Sequence, residues 1–234
     1  MSRVLDFITS ALFPKRCPCC RELMEPGSFV CLNCAGKIQP SQGKICHKCG
    51  RPVEDHSGEC EAILAPVIAA YYYTGEVRNA IIAFKNRPNK EGFEVFSQAL
   101  FSAIDREYST VKFDLVVPVP AYHPMGKTTS GIIAEETAKK YFLPSGGDFL
   151  VKYRKTAKQH LLSREERLVN LIDSVRVKNN RRSKIKGKTV LLTDDIKTTG
   201  STLNQSIAAL LEAGAEKVYC ACIAVSEYDP NGVF

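Results

Sequence analysis

The sequence predicts an α/β domain with a parallel sheet, preceded by a small N-terminal module built around metal-binding cysteines. Three observations carry this: eight of ten cysteines lie between Cys17 and Cys60, strand and helix patterns alternate after Pro66, and a hydroxyl-rich turn follows an apolar run ending in Asp194 and Asp195. The 234 residues accommodate both units, divided here at 1–64 and 65–234, and 44% hydrophobic with 24% charged residues excludes disordered or fibrous chains. No apolar run approaches the roughly 18–20 residues that span a bilayer. Asp6 interrupts the apolar start, and no small-residue cleavage site follows it. A cytoplasmic protein is expected.

The cysteines read Cys17-Pro-Cys-Cys20, Cys31-Leu-Asn-Cys34, Cys46-His-Lys-Cys49 and Cys60. A shift of 29 positions carries Cys17, Cys20 and Cys31 onto Cys46, Cys49 and Cys60, and Cys34 onto Ile63. Met24, Glu25 and Ser28 fall on Val53, Glu54 and Ser57. The pattern is two zinc knuckle pairs in tandem, the second short of one ligand. A C-x-x-C turn puts two thiolates on one side of a tight loop, and two such turns close a tetrahedron around Zn²⁺. A module of about 50 residues with few large apolar side chains needs such a staple, and disulfides are not expected in the cytosol.

Cys17, Cys20, Cys31 and Cys34 are therefore assigned to structural zinc, with Cys19 as an alternative to Cys20. Cys46, Cys49 and Cys60 form a second site. Either His56 or His47 completes it, or it is a decayed repeat held by packing around Ile63. Interleaving of the pairs between sites stays open. Cys220 and Cys222 lie in the apolar run Val218–Val225 and are expected in the core.

Beyond Pro66, Val67–Tyr73 reads as a strand, and Arg78–Lys85 and Gly92–Glu107 carry helical spacing. Phe113–Val119 is a nearly all-apolar run, as expected of a buried parallel strand. A loop from Ala121 to Ser130 leads to a helix over Gly131–Tyr141, and a strand lies near Phe149–Val151. Ser163-Arg-Glu-Glu166 is a capping box that starts another helix. Thr189–Thr193 is a second buried strand, Ser201–Ala213 a helix stopped by Gly214, and Lys217–Val225 a further strand.

The segment Thr189-Val-Leu-Leu-Thr-Asp194-Asp195-Ile-Lys-Thr198-Thr199-Gly200-Ser201-Thr202 carries the chemistry. Backbone N–H groups at the helix start, with the hydroxyls of Thr198, Thr199, Ser201 and Thr202, suit a phosphate dianion. Gly200 lets the backbone approach it. The two carboxylates cannot face that phosphate and would hold something else nearby, such as sugar hydroxyls. The segment resembles the 5-phosphoribosyl-1-pyrophosphate (PRPP) signature of type I phosphoribosyltransferases. That resemblance implies ribose hydroxyls on Asp194 and Asp195, the 5′-phosphate on Thr198 to Thr202, and Mg²⁺ bound with PRPP. Thr198 stands where purine-salvage members carry an acid, which argues against that activity.

Arg154-Lys-Thr-Ala-Lys-Gln159-His-Leu-Leu-Ser-Arg164-Glu-Glu-Arg167-Leu-Val-Asn170 is similar to a segment of the ComF family of competence proteins. That family joins a double zinc ribbon to a type I phosphoribosyltransferase-like domain. Phe13-Pro14, Gly75–Lys85 with its Phe-Lys ending, and Val117-Pro-Val-Pro120 agree with it. Where family members carry Arg-Gly-Phe-Asn-Gln, this chain has Gly126-Lys127-Thr128-Thr129-Ser130-Gly131, a candidate pyrophosphate loop with a cation, three hydroxyls and a helix start.

Residues 149–188 hold 13 Lys and Arg against 3 acids, whereas 14–64 hold 7 against 6. Arg154 and Lys155 lie where type I enzymes have a mobile hood over PRPP, and cations there would stabilise the leaving pyrophosphate. The resemblance implies a PRPP-binding phosphoribosyltransferase-like protein serving DNA uptake in natural transformation. The alternative is a catalytically silent adaptor that holds single-stranded DNA through the ribbons and the basic loop Lys178–Lys188, beside a helicase partner.

Overall fold

The computed structural model describes residues 16–24, 28–55, 60, 63–121, 126–153 and 175–227. Its strands are β1 (Val67–Tyr72), β2 (Leu115–Pro118), β3 (Leu150–Lys152), β4 (Val175–Val177), β5 (Thr189–Lys197) and β6 (Lys217–Val225). The helices are α1 (Leu32–Lys37), α2 (Gly75–Asn86), α3 (Lys90–Glu107), α4 (Thr129–Lys140), α5 (Arg182–Ile185) and α6 (Ser201–Glu212). Four strands make an all-parallel sheet in the order β1-β6-β5-β2.

Alternation along the strands divides the core in two. Val67, Ala69, Leu115, Val117, Val190, Leu192, Cys220 and Cys222 face one side, packed against Leu203, Ile207 and Leu210 of α6 and against the β3–β4 pair. Ile68, Val116, Leu191, Ala221 and Ile223 face the other, packed against Phe84 of α2, Phe96 and Leu100 of α3, and Ile133 of α4. Burial on both faces is why these strands read as unbroken apolar runs. Cys220 and Cys222 are fully buried, as expected of core residues.

Local chemistry sets the helix starts. Asn89 Oδ1 accepts from Gly92 N–H at 2.8 Å, so α3 begins at Lys90 rather than Gly92. Thr128 Oγ1 accepts from Gly131 N–H at 3.1 Å and starts α4 ahead of the expected Gly131. The strand near Phe149–Val151 does not join the parallel sheet: β3 pairs antiparallel with β4, a strand the sequence did not signal. The basic segment after Lys178 is not a plain loop. It forms a 3₁₀ turn, Asn179–Arg181, and then α5, whose Ile185 is fully buried. The helix expected from Ser163 lies outside the described residues.

The two knuckles repeat in backbone as well as in sequence. Cys17 N–H donates to Glu22 O at 2.8 Å and Arg21 N–H to Cys17 O at 2.9 Å. At positions 29 further on, Cys46 N–H donates to Arg51 O at 2.7 Å and Gly50 N–H to Cys46 O at 2.7 Å. The bridge Arg16–Leu23 recurs as Ile45–Pro52. Even the left-handed residue recurs, Arg21 at φ 69° and Gly50 at φ 82°; glycine takes that conformation at less cost.

The second knuckle runs along the edge of β1. Gly50 bridges Ile68, and Val67 N–H donates to His47 O at 2.9 Å. Buried Arg51 donates through Nε to Ser226 O at 3.1 Å. Cys17, Val30, Cys34, Ile38 and Ile45 share one apolar cluster with the sheet face that carries Ile68.

Candidate ribose phosphate site and metal centres

The sulfurs of Cys17, Cys20, Cys31 and Cys34 lie within 4.8 Å of one another, as do those of Cys46, Cys49 and Cys60. The pairs therefore group sequentially and are not interleaved. Tetrahedral zinc thiolate, with Zn–S near 2.3 Å, needs S–S edges of about 3.8 Å. Cys20 and Cys31 approach to 3.5 Å, and Cys46 and Cys60 to 4.0 Å, so both sets fit zinc. Burial raises the Cys17 thiol, but backbone N–H groups of Cys31, Cys20 and Cys19 outweigh it and bring it down to about 6.

Cys19 stands aside from the first set: its thiol donates to Glu76 O at 3.6 Å, and burial pushes it up to about 12. His47 is turned away from the second set, its Nε2 lying 3.0 Å from Glu107 Oε2. His56 lies outside the described residues.

The strand carrying the acids extends further than its apolar run suggests. β5 continues in register with β6 through Asp194, opposite Cys222, to Lys197, opposite Val225. Asp194 and Asp195 thus lie within the strand, not in a loop after it. Asp194 Oδ1 accepts from Asp195 N–H at 2.8 Å. Asp195 Oδ1 meets Lys85 Nζ, from the end of α2, at 2.9 Å. Burial, then the neighbouring Asp195 carboxylate, pushes Asp194 up to about 8; Lys85 and Lys152 oppose that rise.

The threonine turn follows directly. Gly200 is the N-cap of α6 at φ 76° and supplies no capping side chain. Ser201 N–H makes only a long 3.4 Å bond to Thr199 Oγ1, and Thr198 and Thr199 are exposed. The positive end of the α6 dipole is therefore open to an anion. Lys152 of β3 donates to Thr202 Oγ1 at 3.4 Å, and half-burial lowers its ammonium pKa against the opposing pull of Asp194. Lys152 thus links the acids to the threonine turn.

Beside Lys152, a cavity of about 240 Å³ is lined by Pro118, Val119, Pro120, Thr128 and Leu150. The Lys127–Gly131 segment borders it through Thr128. Thr128 caps α4, and buried Ser130 donates to Val119 O at 2.8 Å. Thr129 is buried and Lys127 exposed. Arg154 and Lys155 lie outside the described residues. A larger cleft, about 600 Å³, at the ribbon–α2 seam shares no lining residue with the acids or the threonine turn.

Lys85 and Lys152 were not singled out as site residues by sequence reasoning. Only the Phe-Lys ending of the α2 segment and the start of the basic stretch marked them.

A double zinc ribbon domain model matches residues 8–64, and a phosphoribosyl transferase domain model matches residues 97–232. Competence protein ComFC of Bacillus subtilis (strain 168) is 27% identical over 82% of each chain. DNA utilization protein YhgH of Escherichia coli (strain K12) is 24% identical over 89% of this chain and 97% of its own. Among solved structures, the glutamine phosphoribosylpyrophosphate amidotransferase from B. subtilis is 25% identical, at a TM-score of 0.38, over 56% of this chain and 27% of that one. Among the described residues no helix is long and apolar enough to cross a membrane.

Proposed function

Because the chain belongs to the phosphoribosyl transferase domain family and carries a double zinc ribbon ahead of that domain, we propose that it binds PRPP with Mg²⁺, or a closely related phosphorylated ribose. The observation that supports this most is the juxtaposition at the end of β5. Paired carboxylates, two lysines drawn from distant segments and an uncapped helix N-terminus meet there.

In this reading the first-turn amides of α6, with Thr198 to Thr202, hold the 5′-phosphate, and Lys152 adds charge beside Thr202. Asp194 and Asp195 accept from the ribose hydroxyls. Protonated Asp194 can also donate, so the pair presents both acceptor and donor to a diol. The family resemblance assigns the pyrophosphate to Lys127, with Arg154 and Lys155. Mg²⁺, when bound, neutralises phosphate charge. With an acceptor present, its nucleophilic atom bonds to C1 as the C1–O bond to pyrophosphate breaks, and the electron pair leaves on the pyrophosphate oxygen.

The similarity to a competence protein and to a DNA utilization protein supports a role in DNA handling, and we place natural transformation as its setting. For an adaptor that holds single-stranded DNA, four cations in the described part of the basic segment already have acidic neighbours. Lys178 and Arg181 pair with Asp148, Arg182 with Glu212, and Lys188 with Asp114.

The test is calorimetric titration of the full chain with PRPP and Mg²⁺. Saturable heat is expected, and Asp195→Ala should weaken binding by about tenfold or more, as for loss of a charge-assisted hydrogen bond. No heat, or unchanged affinity in the variant, would overturn the assignment.

A further inference from the structure

We propose that the second knuckle positions the α6 phosphate loop, with Ile63 as the residue that makes the contact; the proposal rests on the ribose phosphate reading above. Ile63 occupies the place that Cys34 holds in the first copy, where the fourth thiolate belongs. Its side chain is instead buried against the domain that follows. A β-carbon built on Gly200 would run into Ile63 Cδ1, and Lys197 Cε lies 3.4 Å from the same point. Gly200 is thus packed from the ribbon side at the residue that opens α6.

Two hydrogen bonds from adjacent backbone N–H groups fix the arrangement. Ile63 N–H donates to Lys48 O at 2.9 Å, inside the Cys46–Cys49 turn. Leu64 N–H donates to Asn204 Oδ1 at 2.9 Å, in the first turn of α6. Cys60, three residues before Ile63, belongs to the same thiolate set. A metal held by Cys46, Cys49 and Cys60 therefore anchors both ends of the strap that presses on Gly200. Loss of the fourth cysteine exchanged a ligand for a contact: the knuckle keeps a shell of three thiolates and uses the freed position to hold the loop in its anion-binding form.

Hydrogen exchange of the ligand-free full chain reads this without requiring activity. Ile63→Ala should speed exchange of the first hydrogen-bonded amides of α6, those at 204–207 beginning with Asn204 N–H on Gly200 O at 2.8 Å, by about tenfold, as for truncation of a buried aliphatic contact. The sheet amides of β5 and β6 and the zinc content should not change. Ile63→Leu should restore most of the protection, and Cys60→Ser should reproduce the loosening. Asn204→Ala removes the Leu64 bond without changing any ribbon residue and should loosen the same amides, which covers the case of an Ile63→Ala chain that does not fold.

Ribose 5-phosphate titration separates the two ideas. If wild type binds it and neither Ile63→Ala nor Asn204→Ala alters exchange or affinity, the positioning role is wrong. If the variants alter exchange but wild type takes no ribose 5-phosphate, the contact stands and the ligand reading fails.

Discussion

Asp194 shows how burial and a like charge set one side chain against the fold. Its carboxyl is raised to about 8, first by burial and then by Asp195. The unfolded chain releases that proton near pH 4, so the folded state holds a proton that the unfolded state has lost. Stability then falls as pH rises from about 4 to about 8. Asp194→Asn removes the penalty. The variant is expected to melt higher than wild type at pH 8, by about 2–4 °C for each kcal/mol recovered, with the gap closing towards pH 4. Equal melting curves at both pH values would show that the carboxyl carries no such penalty. The acids themselves were legible in the sequence, because an apolar run followed by Asp-Asp and a threonine turn is a local pattern. Lys85 and Lys152 were not, because each reaches the site from another part of the chain.

At the scale of elements, the junction of β5 and α6 decides what the site can hold. The strand was expected to end at Thr193 but runs to Lys197, because β6 continues beside it and pairs with it to Val225. Main-chain pairing with β6 carries the strand past its apolar run and through both acids. Gly200 then turns the chain at φ 76° under Ile63, whose Cδ1 stands where a β-carbon would go and would have to shift to admit one. Gly200→Ala combines a left-handed alanine with that collision. A loss of about 1–3 kcal/mol is expected in urea unfolding, with weaker ribose 5-phosphate binding. Unchanged stability would mean that the turn has freedom its packing does not show. The β3–β4 pair was half legible: the stretch near Phe149–Val151 carried a strand pattern, and β3 forms at Leu150–Lys152, but three residues at Val175–Val177 are too few to signal one.

For the whole molecule, the ribbon and the sheet domain share one apolar cluster, in which Cys17 and Cys34 lie with Phe84, Phe96 and Leu100. Arg51 and the strap at Ile63–Leu64 tie the ribbon to the far end of the chain. Zinc removal should therefore be felt well beyond the knuckles. Calorimetry of the full chain is expected to show one transition with zinc present, and a clearly lower Tm after a strong chelator has removed the metal. A sheet transition that stays at its original temperature would show that the two units are energetically separate.

The sequence by itself determined the elements whose cause is local: the tandem knuckles, the alternating strands, the buried Cys220 and Cys222, and the Asp-Asp-threonine turn. Each rests on spacing or on residue type within a few positions. Tertiary structure alone decided that β3 leaves the parallel sheet, that Lys85 and Lys152 join the acids, and that Ile63 seats on Gly200 in place of a metal ligand. These depend on which distant segments the fold brings together, and side-chain packing between distant segments leaves no periodic trace in either one.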